Sequence, residues 1–539
     1  MNQRIAILIA ILIIISATSL VYLSSFNTPF QFDDVKNVVG ARVVENFSLP
    51  DLFQHSKSRF LLCLTLSLNY YFGKYNVFGY HLVNLIIHII SSLLVFGLSL
   101  IIFDSNRLTR LDLRRHRFEL ALSASMIFAL HPIQTESVTY IWQRGESMAG
   151  MFYLLSIFLY ARVRLSQING LAKIFRWLMY AMCFISIILC SLTKPTSLSL
   201  VIAIFIYEIF FLSNDMDGFK ASLRYLIPVL LFILVPIMIT KIDTAETTGI
   251  GIRLAKDYIP FYYAKIRILA KSLLMMTFPI RQGLEYDFSW NISIADLILT
   301  ASSSIVLISL IAICIFNFKR NPLISFVISW FYLTLSITSL IFLDDIFFEH
   351  YLYLPLFGYS IIVPALSLSI VNKLKINRKW WLGFIVILIA FYSVATYNRN
   401  LVWKTEISLW EDAVKKSPYK ARAHYTLGVY YFRAKRYEEA FREYNIALKL
   451  KPIYPEAYYR LGEYYFSLRD VEKSIANYKK ALQINPEFFE AYLNLGSVYV
   501  AARQYKNARE CFNNALRFTK DQDYIKNIKA VLEGIKNYE

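Results

Sequence analysis

Residues 5–40 read IAILIAILIIISATSLVYLSSFNTPFQFDDVKNVVG. No charged side chain lies between Arg4 and Asp33. The apolar part is long enough to cross about 30 Å of hydrocarbon as a helix. Asp33 and Asp34 then stand a helical turn or two beyond its end. Two adjacent carboxylates at that height are either a solvated helix start or reacting groups.

The whole chain repeats the first half of that pattern. Of its 539 residues 57% are hydrophobic and 18% charged, too little charge to cover a water-soluble surface. Apolar runs predict about eleven spans, near residues 4–24, 80–103, 119–132, 147–163, 174–192, 196–213, 223–240, 295–317, 322–342, 358–373 and 381–397. The stretches at 105–117, 162–176, 213–224, 318–322 and 372–379 each hold two to five Lys or Arg residues. The alternate ones, 131–146, 192–197 and 344–355, hold one Arg, one Lys and neither. That asymmetry puts the N-terminus in the cytoplasm. The net charge of +19 is thus mainly a signal of topology, and no nucleic-acid partner is expected. No clean small-x-small cleavage site precedes FQFDD, so the first run reads as a span rather than a leader. The cysteines, Cys63, Cys183, Cys190, Cys314 and Cys511, have neither metal spacing nor a disulfide framework.

Two long loops, 25–79 and 241–294, break the hairpin rhythm on the outer side. In the first, Ser48 with Pro50 reads as a helix start. In the second, apolar residues punctuated by Arg253, Lys256, Lys265, Arg267 and Lys271 suit helices in the headgroup layer. Near residue 400 the composition turns charged. Gly428, Gly462 and Gly496 recur every 34 residues, as do Pro418, Pro452 and Pro486. With the surrounding aromatic and small residues this is the tetratricopeptide repeat. The expected domains are a membrane part, 1–397, and an extracytoplasmic repeat part, 398–539. The second comprises a half repeat at 401–418, repeats at 421–454, 455–488 and 489–520, and a capping helix at 521–539. The first helix of the half repeat would fall near 387–400, in the last span itself. The groove of such a solenoid suits a peptide.

Ionisable residues at membrane depth mark functional sites by default. His81, Asn84 and His88 share one helix face. His131, Glu136 and Arg144 occur in HPIQTESVTYIWQRGE, Lys194 in LTKPTS, and Glu349 and His350 in FFEHYLYLP. With Arg59, Asp33 and Asp34 they gather carboxylates and cations at the outer mouth. Carboxylates accept protons and cations hold phosphates. The plainer reading of each one alone is a buried pair or a headgroup anchor. The His–Asn–His face supplies too few ligands for a metal, and none is expected. Glu208, nearer the inner end of its span, reads as structural.

Taken together, FDD, SRFLLCLTLSLNYYFG, YHLVNLIIHII, the block from 131 to 162, LTKPTSLSLVIAIFIYE, EHYLYLPLFGYS and residues 399–428 resemble, in order, the transmembrane-and-tetratricopeptide O-mannosyltransferases and their prokaryotic relatives. The resemblance spans nearly the whole chain. It departs from the family pattern in lacking a proline after Arg59, in having His350 where an arginine is common, and in lacking an acidic residue after Lys194. It implies the C-type glycosyltransferase fold: an all-α polytopic bundle followed by a tetratricopeptide α-solenoid. It also implies a polyprenyl-phosphate sugar donor, mannose foremost, and a catalytic base from the acidic motif that Asp33 and Asp34 occupy.

The expected function is therefore inverting transfer of a sugar to a hydroxyl of an extracytoplasmic protein, without cofactor. One of Asp33 and Asp34 is the base. Arg144, assisted by Lys194 and with Arg59 and His131 nearby, holds the donor phosphate. His81, His88, Glu136, Glu349 and His350 are further members of the site. The alternative is a non-catalytic scaffold whose repeats assemble envelope proteins. A transporter fits less well, because the carboxylates gather at the mouth and not at the midplane.

Overall fold

The computed structural model describes all residues except 1–2, 112, 169–172, 214–215, 233–254, 288–292, 341–345, 537 and 539. Among the described residues the chain is helical throughout. Eight helices are long and apolar enough to cross a membrane: Gln3–Asn27, Val77–Asp104, Arg144–Ser166, Lys173–Ser191, Ile294–Asn317, Pro322–Ser339, Pro355–Lys373 and Arg378–Val402. The other three expected spans differ in kind. Arg117–Leu130 is a helix of 14 residues, and Ser197–Leu212 is a shorter apolar helix. The run at 223–240 lies partly outside the described residues, which include Met216–Phe232 as helix.

These helices turn apolar side chains outward. Only 11% of the best window of Ile294–Asn317 is buried, and Ile298, Ile305, Ile308 and Phe316 stand exposed. A water-facing surface of that kind would be unstable, whereas hydrocarbon is its natural solvent. Gln3–Tyr22 buries one stripe, Ala10, Ile14, Thr18 and Tyr22, at four-residue spacing. One buried polar network lies among them. The Arg164 guanidinium forks onto Glu208, with contacts of 3.0 and 2.8 Å, and Tyr160 and Ser213 donate to the same carboxylate at 2.9 and 2.6 Å. This closed network gives Glu208 a structural role.

The chain divides into two compact units, Met1–Gln282 with Phe288–Thr405, and Gly283–Asp287 with Glu406–Glu539. In the first unit, loop 25–79 folds into short helices, including Leu49–His55 capped by Ser48 and Phe60–Gly73. Of loop 241–294, residues 241–254, including Arg253, lie outside the described residues. The helix Ala255–Thr277 comes next in the chain. Lys265 is not at a wet surface there. It is buried and donates to the carbonyls of Thr338 and Ile346 at 2.8 and 2.7 Å.

The second unit stacks helix pairs: Ala421–Arg433 with Tyr437–Leu450, Pro455–Ser467 with Val471–Ile484, and Phe489–Ala501 with Tyr505–Phe518, and then Gln522–Gly534. Glu406–Lys416 precedes them. The recurring glycine admits an aromatic ring. A Cβ on Gly462 would stand 2.7 Å from ring carbons of Tyr478, and the same clash recurs between Gly428 and Tyr444 and between Gly496 and Phe512. Five residues of the second long loop belong to this unit as well, a feature with no signal in the repeat period. Glu285 is buried, accepts from Arg422 Nε at 2.6 Å, and offers its carbonyl to Ser417 Oγ at 2.6 Å.

The packing of the repeat unit can be tested at two positions. Gly462→Ala forces the Tyr478 ring to move and should cost about 1–3 kcal/mol, read as a lowered unfolding transition of the repeat unit in the full chain. An unchanged transition would show that the ring has room. The second position is His424, whose Nδ1 lies 2.6 Å from Glu443 and whose Nε2 lies 3.0 Å from the Pro418 carbonyl. Burial alone would lower its pKa, but Glu443 and the carbonyl outweigh it and hold the ring above its ordinary 6.5. A raised folded-state pKa contributes stability that is complete below the unfolded value and is lost as pH rises through the folded one. The thermal advantage of the native chain over His424→Gln should therefore shrink as pH rises above the ordinary 6.5 and through the raised folded-state value. A constant gap would contradict the pairing.

Candidate active site

The acidic motif begins a short helix, Asp33–Asn37. Successive residues on a helix point about 100° apart, so the two carboxylates cannot share a task. Asp34 turns inward and is 1% exposed. Its Oδ2 accepts from the Gln31 N–H at 3.0 Å and its Oδ1 from the Trp142 N–H at 2.7 Å. Burial pushes its carboxyl up to about 8, against the pull of those N–H donors. Such a value suits a general base, but geometry decides first. Both oxygens are spent on backbone, and the side chain does not line the adjoining cavity.

Asp33 does line it. The cavity, of about 230 Å³, is bordered by Asp33, Arg59, Tyr140, Trp142, Lys194, His350 and Tyr351, among others. Separate segments meet there: the acidic loop, the entrance to Phe60–Gly73, the turn around Trp142, and the turns at Lys194 and His350. The Asp33 N–H donates to the Tyr140 hydroxyl at 2.9 Å. Tyr140 stacks on Trp403 at 5.6 Å, and Gln31 Nε2 donates to the Trp403 carbonyl at 2.7 Å. The start of the helix is thereby held from two sides.

Two cations reach the same space. The Arg59 guanidinium lies 5.8 Å from the centre of the Trp142 ring, and among the described residues it forms no ion pair. Lys194 is paired with Glu146 and lies 5.4 Å over the Tyr351 ring. His350 completes the wall. Its Nδ1 meets Glu136 Oε1 at 2.8 Å, and its backbone N–H donates to Oε2 at 3.1 Å. Burial, reinforced by the Lys194 charge, holds the ring well below its usual range, and burial raises the Glu136 carboxyl. Glu136 thus orients His350 from behind. Glu349 is buried next to it and does not line the cavity.

The remaining expected members lie elsewhere. Arg144 is fully buried, with Nε donating to Asn84 Oδ1 at 2.6 Å and Nη2 to the Tyr80 carbonyl at 3.0 Å. It braces the Val77–Asp104 helix and does not face the cavity, which Gln143 and Gly145 on either side of it do line. His81 Nε2 donates to the Thr28 carbonyl at 2.8 Å. His88 donates through Nε2 to the Ala129 carbonyl at 3.0 Å, so its Nδ1 accepts from the Tyr353 hydroxyl at 3.0 Å. His131 Nδ1 accepts from the Ile133 N–H at 3.2 Å, which leaves Nε2–H for the Met276 carbonyl at 2.9 Å. All three imidazoles are packing elements here. Glu146, Trp142 and Tyr351 are the residues that sequence reasoning missed. Each sits within two residues of one it named, in QRGE, YIWQR and EHY. Among the described residues no three His, Cys, Asp or Glu side chains cluster as a metal site.

Comparison with known proteins agrees with this architecture. Residues 431–469 and 462–502 match the TPR repeat family, and residues 489–522 match the tetratricopeptide repeat family. The chain is 27% identical over 455 residues to the protein O-mannosyl-transferase F38B6.6 of Caenorhabditis elegans, covering 78% of this chain and 59% of that protein. It is 22% identical over 484 residues to human protein O-mannosyl-transferase TMTC3, covering 80% of this chain and 50% of that one. It thus spans little more than half the length of these relatives. The crystal structure of MamA aligns with 28% of this chain and 84% of its own, at 24% identity and a TM-score of 0.20. Its apolar helices and its repeats are thus those of a chain similar, across most of its length, to relatives named protein O-mannosyl-transferases.

Proposed function

We propose that the chain is a multi-pass membrane glycosyltransferase that moves a sugar, mannose foremost, from a polyprenyl-phosphate donor to a Ser or Thr hydroxyl of an extracytoplasmic protein. The relatives named as protein O-mannosyl-transferases support the class of reaction. The observation that carries the assignment to residues is the shared cavity, in which the Asp33 carboxylate and the cations Arg59 and Lys194 border one space. Asp33 takes the hydroxyl proton as the acceptor oxygen attacks the anomeric carbon. The bond from that carbon to the phosphate oxygen breaks, and the lipid phosphate leaves with the electron pair. Its charge is met by Arg59 and, once Glu146 yields, by Lys194. One displacement of this kind inverts the anomeric centre and asks for neither metal nor nucleotide.

This reading moves two roles that the sequence pattern suggests. Asp34 becomes a positioning residue, because both its oxygens hold backbone N–H groups. Arg144 becomes a brace, and the donor phosphate passes to Arg59. The loop charges support a cytoplasmic N-terminus and an extracytoplasmic acceptor. The repeat groove holds the acceptor chain.

The test uses purified full-length protein in nanodiscs, radiolabelled polyprenyl-phosphate mannose and peptide acceptors. Asp33→Asn should lower kcat by about 10²–10⁴-fold, the usual worth of a general base, with the unfolding temperature unchanged. Asp34→Asn turns an amide N–H₂ toward one of two backbone donors, so it should lose about 1–3 kcal/mol of stability as well as activity. Near-native turnover by Asp33→Asn would end the base assignment. A second comparison separates the cations. Arg59→Gln should raise the KM for donor about tenfold, as loss of one charged hydrogen bond does. Arg144→Lys should leave that KM unchanged while lowering stability. The reverse pattern would return the phosphate to Arg144.

A further inference from the structure

A second cavity, of about 570 Å³, lies between the helices Arg144–Ile168, Lys173–Ser191 and Met216–Phe232. Its wall on Lys173–Ser191 is a single stripe: Lys173, Arg176 with Trp177, Tyr180 with Ala181, and Phe184. These positions recur every three to four residues and so share one helix face. The stripe runs about 16 Å along the axis at 1.5 Å per residue. That is about half of a 30 Å hydrocarbon core, the depth of one leaflet. Cations occupy one end of it and rings the rest.

The facing wall carries a third cation: Arg224 lines the same cavity, its guanidinium 5.0 Å over the Tyr225 ring, with Pro228 one turn further along the helix. The Tyr180 hydroxyl donates to the Tyr225 carbonyl at 2.6 Å and ties the two walls together. The nearby Arg164 is spent on Glu208. Among the described residues none of Lys173, Arg176 and Arg224 has a carboxylate partner. Three cations without a carboxylate partner thus border one cleft whose other walls are aromatic and apolar.

The position is defined by chain geometry. Gly145 lines the first cavity and Val163 the second, eighteen residues along one helix. That separation is about 27 Å, close to the full hydrocarbon thickness. The two cavities therefore border opposite faces of the same bundle, and the second lies at the end marked by the basic stretch 162–176.

We infer that this cleft is a binding site for an anionic phospholipid of the leaflet opposite the candidate active site. The phosphate sits among Lys173, Arg176 and Arg224, and an acyl chain lies along Trp177, Tyr180 and Phe184. The match is one of shape and of charge. A phospholipid carries its charge at one end of an apolar body about one leaflet long, as the cleft does. A zwitterionic lipid brings its own cation to the mouth and gains less. Basic pockets between membrane helices recognise anionic headgroups by this logic. The inference is independent of the transfer reaction.

The experiment uses full-length protein in detergent and native mass spectrometry with phosphatidylglycerol and phosphatidylcholine of identical acyl chains. Phosphatidylglycerol should be retained preferentially, and Arg176→Gln with Arg224→Gln should weaken that retention about thirtyfold, at about 1 kcal/mol for each of the two cations near the headgroup layer. Phosphatidylcholine retention should not change. The paired Lys substitutions, which keep the charge, should restore most of the binding and so control for folding. A phosphatidylglycerol bearing a photoreactive group in its acyl chain should label residues 173–184 and 224–228 of the unmodified protein. Equal retention of the two lipids, unchanged retention in the Gln variant, or labelling confined to other helices would overturn the site. Displacement of bound lipid by millimolar inorganic phosphate alone would also overturn it, because the cleft would then hold the anion without its chain.

Discussion

A buried carboxylate ties the acidic end of the first long loop to the turn at Trp142. Asp34 accepts the N–H of Gln31 from its own loop and that of Trp142 from a turn more than a hundred residues away. Each backbone donor would otherwise be buried without a partner, at a cost of about 1–3 kcal/mol. Their pairing fixes where the Asp33–Asn37 helix starts. That in turn decides that Asp33, one position earlier and about 100° around the helix, borders the cavity. Trp142, placed by the same bond, backs the Arg59 guanidinium. The proposed base and the proposed phosphate ligand thus take their positions from a residue that does not touch the substrate.

The same requirement explains where inference from sequence succeeds and where it does not. The long apolar runs and the 34-residue period are properties of composition and spacing, so the bundle and the solenoid are legible in the sequence. The short runs are harder. Arg117–Leu130 is apolar for only 14 residues, and hydropathy alone does not separate a short buried helix from a span. The site is half legible. A pattern of Asp, Arg, Lys and His at the ends of spans says that ionisable groups gather there. It does not say which point to the cavity and which to a carbonyl. Arg144 and His131 look like site residues for the very reason that they are costly to bury. Yet Arg144 spends Nε and Nη2 on Asn84 and the Tyr80 carbonyl, and His131 spends both ring nitrogens on Ile133 and the Met276 carbonyl. Glu285, whose partners Ser417 and Arg422 come from more than 130 residues away, has no sequence signal at all.

Within the bundle two kinds of charge are distinguishable by their partners. Arg164 with Glu208, and Lys265 with two carbonyls, are closed networks whose donors and acceptors answer one another. Removing one member leaves the other exposed to the low dielectric, so these are structural fixtures. Arg59, and the trio Lys173, Arg176 and Arg224, differ. They rest on aromatic rings or on nothing charged, at the mouths of cavities. A cation over a ring keeps its hydrogen-bond donors available. An anion entering from outside therefore finds the donors unspent. It need not first break an ion pair, as it must at Lys194 with Glu146.

Under the proposed transfer reaction, that distinction orders events at the candidate active site. Arg59 can engage a donor phosphate on arrival, whereas Lys194 is released only when a competing negative charge draws it from Glu146. The competing charge grows as the bond to the anomeric carbon breaks and the phosphate takes the electron pair. Lys194 therefore contributes more to the leaving phosphate than to the bound donor. An interaction that strengthens along the reaction coordinate accelerates the step, while one already complete in the ground state only tightens binding. The pair with Glu146 thus converts a cation that would merely hold the donor into one that favours its departure.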